Sequence, residues 1–253
     1  MRGLTVGVLG SLEVSVEGRP KGLTTSRLRT LLVSLAMSAG KTVPMERLGE
    51  ALWPDTFPAN SRRSPQNYVA RLRSVLGGRW IDTRAGGFLL HADPDDVDAL
   101  RFVRTLDRAA RARDTDLEGG LLDDALGLSR GEPFEDVASR WLQETEAPRL
   151  VERHLAALER RIDLDLAAGR RSDLIPTLSE WTARYPLRES LWLRLLMVLE
   201  RHGRRAEALR RYEELRTCFI HDLGVDPGPD LQRLYTDLLA DHPATARTAP
   251  PRT

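Results

Sequence analysis

Hydrophobic and polar positions alternate at the start of the chain and then change to a helical spacing. Leu4, Val6 and Val8, and then Leu12, Val14 and Val16, lie two apart, with Glu13, Ser15 and Glu17 around the second set. That period predicts two short strands joined at Gly10-Ser11, the second ended by a turn at Gly18-Arg19-Pro20. Leu28, Leu31, Leu32, Leu35 and Ala36 then recur as on one face of a helix, which Gly40 ends. A second helix runs from Met45 to Trp53 and stops at Pro54, and a polar loop from Asp55 to Asn60 leads into a third that reaches Leu76. Trp80-Ile81-Asp82-Thr83 and Phe88-Leu89-Leu90 flank Arg84-Ala85-Gly86-Gly87, the pattern of a hairpin with a glycine turn. Strands, three helices and a closing hairpin in that order predict a winged helix-turn-helix. The early Gly7-Val8-Leu9-Gly10 run has no helix after it, which weighs against a nucleotide-binding turn.

From about Asp95 the pattern is helical almost throughout, with amphipathic segments over 96–113, 115–129, 136–169, 171–185, 188–202, 204–221 and 228–240. Gly169 and Gly203 are 34 residues apart, the tetratricopeptide period. Trp192, Leu195, Leu199, Ala208 and Tyr212 occupy that motif's spacing in the second unit, and Leu158, Leu174, Leu178 and Pro186 match it more loosely in the first. The expected fold is mainly α: a winged helix-turn-helix (α+β) over 1–94, an all-α tetratricopeptide-like domain over 95–241, and a disordered tail over 242–253 containing Pro243, Pro250 and Pro251. A helical bundle without repeats is the plainer alternative for the second part.

The net charge of +1 conceals an asymmetry that sharpens this division. Residues 1–94 hold 13 Lys+Arg against 7 Asp+Glu, a net of +6, and the remainder is net −5. A basic front suits a polyanion, and the acidic back suits a different partner. The third helix carries the candidate chemistry. At 100° per residue, Pro65, Val69, Leu72 and Leu76 share one face and must pack inward, while Arg63, Asn67, Ala70, Arg71 and Ser74 share the opposite face. Arginine can bond guanine bidentately and asparagine can bond adenine, so Asn67 and Arg71 are the base-reading candidates. Small Ala70 and Ser74 permit close approach to a groove floor. Arg62, Arg63, Ser64, Tyr68 and Arg73 at the flanks suit phosphate oxygens. Pro65 fits best at the first helical position with Ser64 as N-cap, which moves Arg63 toward the DNA backbone. Arg84 on the hairpin is placed to enter a minor groove. Arg27 and Arg29 are further phosphate candidates, although solvation explains them equally well.

Enzymatic readings find no support. The histidines (91, 154, 202, 221 and 242) are scattered without paired-ligand spacing, and no nucleophile elbow or Walker A motif occurs. The acidic pairs Asp123/Asp124 and Asp163/Asp165 read as solvated helix faces. Cys218 is the single cysteine, which rules out an intrachain disulfide. No catalytic residue, metal or cofactor is expected. Without an apolar leader or a membrane-span stretch, the protein is expected to be cytoplasmic, associated with the nucleoid and not with a membrane.

Ordered motifs across both parts resemble one family. In the front they are Leu9-Gly10-Ser11-Leu12-Glu13-Val14, Gly18-Arg19-Pro20, Ala39-Gly40-Lys41-Thr42-Val43, Ala51-Leu52-Trp53-Pro54, Tyr68 to Arg73, and Gly87-Phe88-Leu89-Leu90. Behind them come Leu155 to Glu159, Ala167-Ala168-Gly169-Arg170, Tyr185 to Glu189, and Leu223 to Pro229. Together they resemble the Streptomyces antibiotic regulatory proteins over about residues 4–240. The resemblance implies an OmpR-type winged helix fused to a bacterial transcriptional activation domain, without the ATPase or sensor modules of larger members. It also implies activation of a biosynthetic gene cluster. Two protomers, a homodimer set head to tail, would bind direct repeats in double-stranded promoter DNA and recruit RNA polymerase holoenzyme. Under it, Asn67 and Arg71 look like base readers, Arg63, Ser64, Tyr68 and Arg73 like phosphate contacts, and Arg84 like the minor-groove residue of the wing. The chain departs from the family at Ser26-Arg27-Leu28-Arg29, where many members carry Pro-Lys-Gln-Arg, and at Pro65. Repression from a blocking operator, and a helical-repeat adaptor without specific DNA binding, stay open on the residues alone.

Overall fold

The computed structural model describes residues 3–53, 63–169 and 174–240, and the expected disordered tail lies outside them. Its packing separates two compact units, Met1–Leu158 and Glu159–Thr253.

The first unit opens with an antiparallel sheet of β1 (Leu4–Gly7), β2 (Glu13–Val16) and β3 (Arg19–Pro20), in the order β1-β2-β3. The third strand corrects the expected turn at 18–20. Glu17 and Gly18 both take positive φ (53° and 77°), the backbone of a two-residue hairpin turn, so Arg19 and Pro20 return to pair with Val16 and Ser15. Next comes α1 (Ser26–Ala36), capped by the Thr25 side chain accepting from the Leu28 amide, with Leu28, Leu31, Leu32 and Leu35 buried as their spacing predicts. After β4 (Thr42–Pro44) follow α2 (Met45–Leu52) and α3 (Arg63–Leu76). The hairpin β5 (Ile81–Arg84) and β6 (Gly87–Leu90) pairs with β4 in the order β4-β6-β5.

Helices α4 (Asp98–Ala109) and α5 (Thr115–Leu126) follow in the same unit, as does the start of α6 (Ala147–Ala167). One continuous core joins them to the winged helix: Leu4, Val6, Leu32 and Leu72 belong to the same buried cluster as Phe102, Phe134, Leu142 and Leu150. Residues 136–139, expected to begin a long helix, are irregular instead, and helix starts at Arg140. They strap the winged helix: Asp136 accepts from the Leu12 amide (2.7 Å) and pairs with Arg29 (2.8 Å), and the Ala138 carbonyl accepts from Thr30 Oγ1 (3.2 Å). A π-helical turn over Leu142–Glu146 precedes α6. Pro148 follows it, and the wider turn relieves the clash a proline makes with the carbonyl four residues back.

His154 of α6 stacks on Phe102 of α4, with centroids 6.3 Å apart, and burial pushes its pKa below the ordinary 6.5. The unfolded chain therefore binds more protons than the folded one as pH falls below 6.5. The stability this site contributes is complete above that pH and is lost on acidification. Thermal melts from pH 7.5 to 5 are expected to show a falling midpoint. His154→Leu should flatten the fall, and equal slopes in both proteins would refute the assignment.

The second unit contains α7 (Ile175–Arg184), α8 (Glu189–Arg201), α9 (Arg205–Leu223) and α10 (Pro229–Ala240). Gly169 and Gly203 both end helices with positive φ (65° and 70°), so the 34-residue interval marks the same structural position twice. Trp192, Leu195, Leu199, Ala208 and Tyr212 are buried, as the repeat spacing predicts. The reading of Asp163 and Asp165 as a solvated face is overturned. Asp163 accepts two hydrogen bonds from Arg194 (2.9 and 2.6 Å), and Asp165 is buried and paired with Arg161 on the adjacent helical turn.

Candidate nucleic-acid interface

The third helix presents its two faces as the 100° rule requires. Pro65, Val69, Leu72 and Leu76 are buried, whereas Gln66, Asn67, Ala70, Arg71 and Ser74 are exposed. The apolar face packs on α1 and α2. The helix begins at Arg63, so Pro65 is its third residue and not its first, and Ser64 is not its N-cap. A proline is tolerated there because the first four amides of a helix have no intrahelical acceptor. Arg62 lies outside the described residues, as do the side chains of Arg63 and Ser64.

Tyr68 is half-buried between two arginines and a tryptophan. Its ring lies 5.9 Å from that of Trp53, its hydroxyl is 3.4 Å from Arg27 Nη1, and the Arg71 guanidinium stands 6.0 Å from its centroid. The Arg27 guanidinium in turn sits 5.7 Å from the Trp53 ring. Such cation–π contacts orient both cations at the mouth of α1 and α3. Trp53, the last residue of the predicted second helix and part of the Ala51-Leu52-Trp53-Pro54 motif, was not among the candidate site residues, and it lies beside α3 through the α2 C-terminus. Arg29 is not available in the same way: its Nε donates to the Leu23 carbonyl (3.0 Å) and its Nη1 pairs with Asp136.

Arg73 ties the helix to the hairpin. Its Nε and Nη2 donate to the Ile81 carbonyl (3.0 and 2.8 Å), Nη2 also reaches Thr83 Oγ1 (2.9 Å), and its guanidinium lies 6.0 Å from the Phe88 ring. The hairpin is secured on its other side by β4, a strand that the sequence pattern does not predict. Gly87 faces Pro44 in that ladder, and a Cβ there would stand 2.1 Å from the Val43 carbonyl oxygen. The Met45 amide adds a hydrogen bond to the Gly86 carbonyl (2.9 Å). A rigid sheet therefore holds the turn at Arg84 beside α3.

At the tip, Arg84 Nη2 donates to Asp82 Oδ2 (2.9 Å), and His91 Nε2 approaches the same oxygen at 2.8 Å. The His91 hydrogen bond, helped by the charges of Arg84 and Arg73, holds the Asp82 carboxyl below its ordinary range. The structure thus brings Asn67, Arg71, Tyr68 and Arg27 into one patch on α1 and α3, and sets Arg84 apart on the wing.

A three-helix unit with a polar face on α3 and a sheet-anchored wing, followed by tetratricopeptide-like helices, defines a winged-helix transcription regulator. Residues 96–239 match the bacterial transcriptional activator domain. The chain is 32% identical to regulatory protein DnrI of Streptomyces peucetius, over 98% of this chain and 96% of that protein. It is 33% identical to transcriptional regulator RedD of Streptomyces coelicolor, over 94% and 71%. The structure of EmbR from Mycobacterium tuberculosis, solved in complex with a low-affinity phosphopeptide, superposes with a TM-score of 0.83 at 30% identity, covering 96% of this chain and 66% of EmbR. The chain belongs to the Streptomyces antibiotic regulatory protein family of transcriptional regulators. No helix among the described residues is long and apolar enough to cross a membrane.

Proposed function

We propose that this protein activates transcription by binding double-stranded promoter DNA with α3 in the major groove and the wing beside it. The observation that carries the reading is the split of α3, which exposes Asn67, Ala70, Arg71 and Ser74 and buries Val69, Leu72 and Leu76. An exposed helix face of this composition, flanked by arginines, suits base edges at its centre and phosphates at its rim. Asn67 and Arg71 read bases. Arg62, Arg63, Ser64, Tyr68 and Arg27 hold phosphates, and Arg84 enters the minor groove. Arg73 keeps Nη1 for a phosphate while its other nitrogens hold the wing. The family supports the remainder: two protomers head to tail on direct repeats, recruitment of RNA polymerase holoenzyme by the helical domain, and control of a biosynthetic gene cluster in the cytoplasm.

A competition gel shift tests the binding, and Arg71→Ala tests its geometry. The substitution should cost roughly 1–3 kcal/mol and flatten base preference at one position of the site. An unchanged preference would show that α3 does not enter the groove as proposed. Transcription from a bound promoter with purified polymerase tests the sign, and a lowered transcript would identify a repressor.

A further inference from the structure

The wing carries its own acid beside its arginine. Asp82 and Arg84 are two residues apart on β5, so both project from the same sheet face. Asp82 lies opposite Leu89, but Arg84 lies opposite Gly87. That position is confined to glycine by the approach of the Val43 carbonyl. With no side chain across the ladder to pack on, the arginine lies back along its own strand, and its Nη2 meets Asp82 Oδ2 at 2.9 Å. His91 approaches that oxygen from the end of β6, so the carboxylate is positioned from two sides. Thr83, between Asp82 and Arg84 on β5, accepts instead from Arg73 of α3.

We propose that Asp82 is a positioning residue that acts as an internal counterion for Arg84 and confines the engagement of the wing arginine to narrow minor grooves. The inference rests on the DNA-binding reading above. To contact DNA, Arg84 must leave Asp82, and the freed carboxylate then stands in the negative field of the duplex. On DNA of average groove width these two costs offset the gain from one arginine, because an exposed ion pair and a single phosphate contact are of similar small size. In a narrow A·T-rich groove the potential is more negative and the exchange becomes favourable. The wing therefore adds little to random binding and more to the right site.

The test compares wild type, Asp82→Asn and Asp82→Ser on two duplexes across a salt series. One duplex is selected by the wild-type protein from random sequence, and the other is a shuffled version of it. Both variants should bind the shuffled duplex about two- to fivefold more tightly and the selected one by at least as much, because wild type breaks the ion pair only on the selected duplex. The salt dependence should steepen by about one counterion on shuffled DNA and stay as in wild type on the selected duplex, where Arg84 is already engaged. Asp82→Glu should keep the wild-type affinities and slopes, and an added Arg84→Ala should abolish the gain. Unchanged affinity and slope in both variants, or a gain that survives Arg84→Ala, would overturn the inference while leaving DNA binding intact. A wild-type protein with no preference for the selected duplex would instead overturn the DNA-binding reading, and this inference with it.

Discussion

Replacing Asp98 by alanine is expected to lower the stability of the first unit by about 2–4 kcal/mol, the cost of leaving buried backbone amides without their acceptor. The carboxylate is only 11% exposed and accepts from the Val8 amide (2.7 Å), the Leu9 amide (3.1 Å), the Ala99 amide (2.7 Å) and Arg130 Nη2 (3.2 Å). Alanine leaves the amides at the end of β1 and the arginine without this acceptor, and each buried unsatisfied donor carries its full desolvation penalty. Arg130 also pairs with Glu13 (2.7 Å), and its own amide donates to the Leu9 carbonyl (2.8 Å), so the loss spreads to the segment that closes over the sheet. Asp98→Asn retains one acceptor oxygen and should lose about half as much. Urea unfolding followed by circular dichroism measures both. A loss below about 1 kcal/mol for the alanine variant would mean that solvent replaces the carboxylate without difficulty.

The network also explains what could and could not be read from the chain. The faces of α3 were legible because Val69, Leu72 and Leu76 obey a local period, and the burial of a helix follows from spacing alone. The paired glycines at 169 and 203 were legible for the same reason, since a helix end in the left-handed region favours glycine wherever the repeat places it. Strand β4 was not legible: three residues ending in Pro44 show no period, and only the ladder with Gly87 defines them. The straps at Asp98 and Asp136 escaped for a different reason. Their partners lie 90 and 124 residues away for Val8 and Leu12, and no local pattern encodes such a pairing. A boundary after residue 94 follows the change from mixed to helical pattern, whereas the packing that joins Leu4 to Phe102 is a property of the folded core. The bonds of Arg73 to Ile81 and Thr83 were hidden likewise, because an arginine on a helix flank looks the same whether it meets a phosphate or a carbonyl.

Gly87→Ala is the substitution expected to damage the wing most, at a cost of about 3 kcal/mol. Its φ is not the obstacle; the methyl group would stand 2.1 Å from the Val43 oxygen and 2.8 Å from the Val43 carbonyl carbon, both backbone atoms. A flexible side chain could turn aside, but a strand can yield only by separating β4 from β6. That movement draws Phe88 and Leu90, both buried, out of the core beneath α1 and breaks the pairing of Thr42 with Leu89. The turn that bears Arg84 then loses its fixed place beside α3, so DNA affinity should fall about tenfold or more in addition to the lost stability. Gly86→Ala makes the informative contrast. Its φ of 79° costs an alanine roughly 1–2 kcal/mol, yet open space surrounds its Cβ and the sheet need not move. Gly86→Ala should therefore bind DNA almost as the wild type does at temperatures where both are folded. Equal binding defects in the two variants would show that the wing depends on turn conformation and not on its seat against β4.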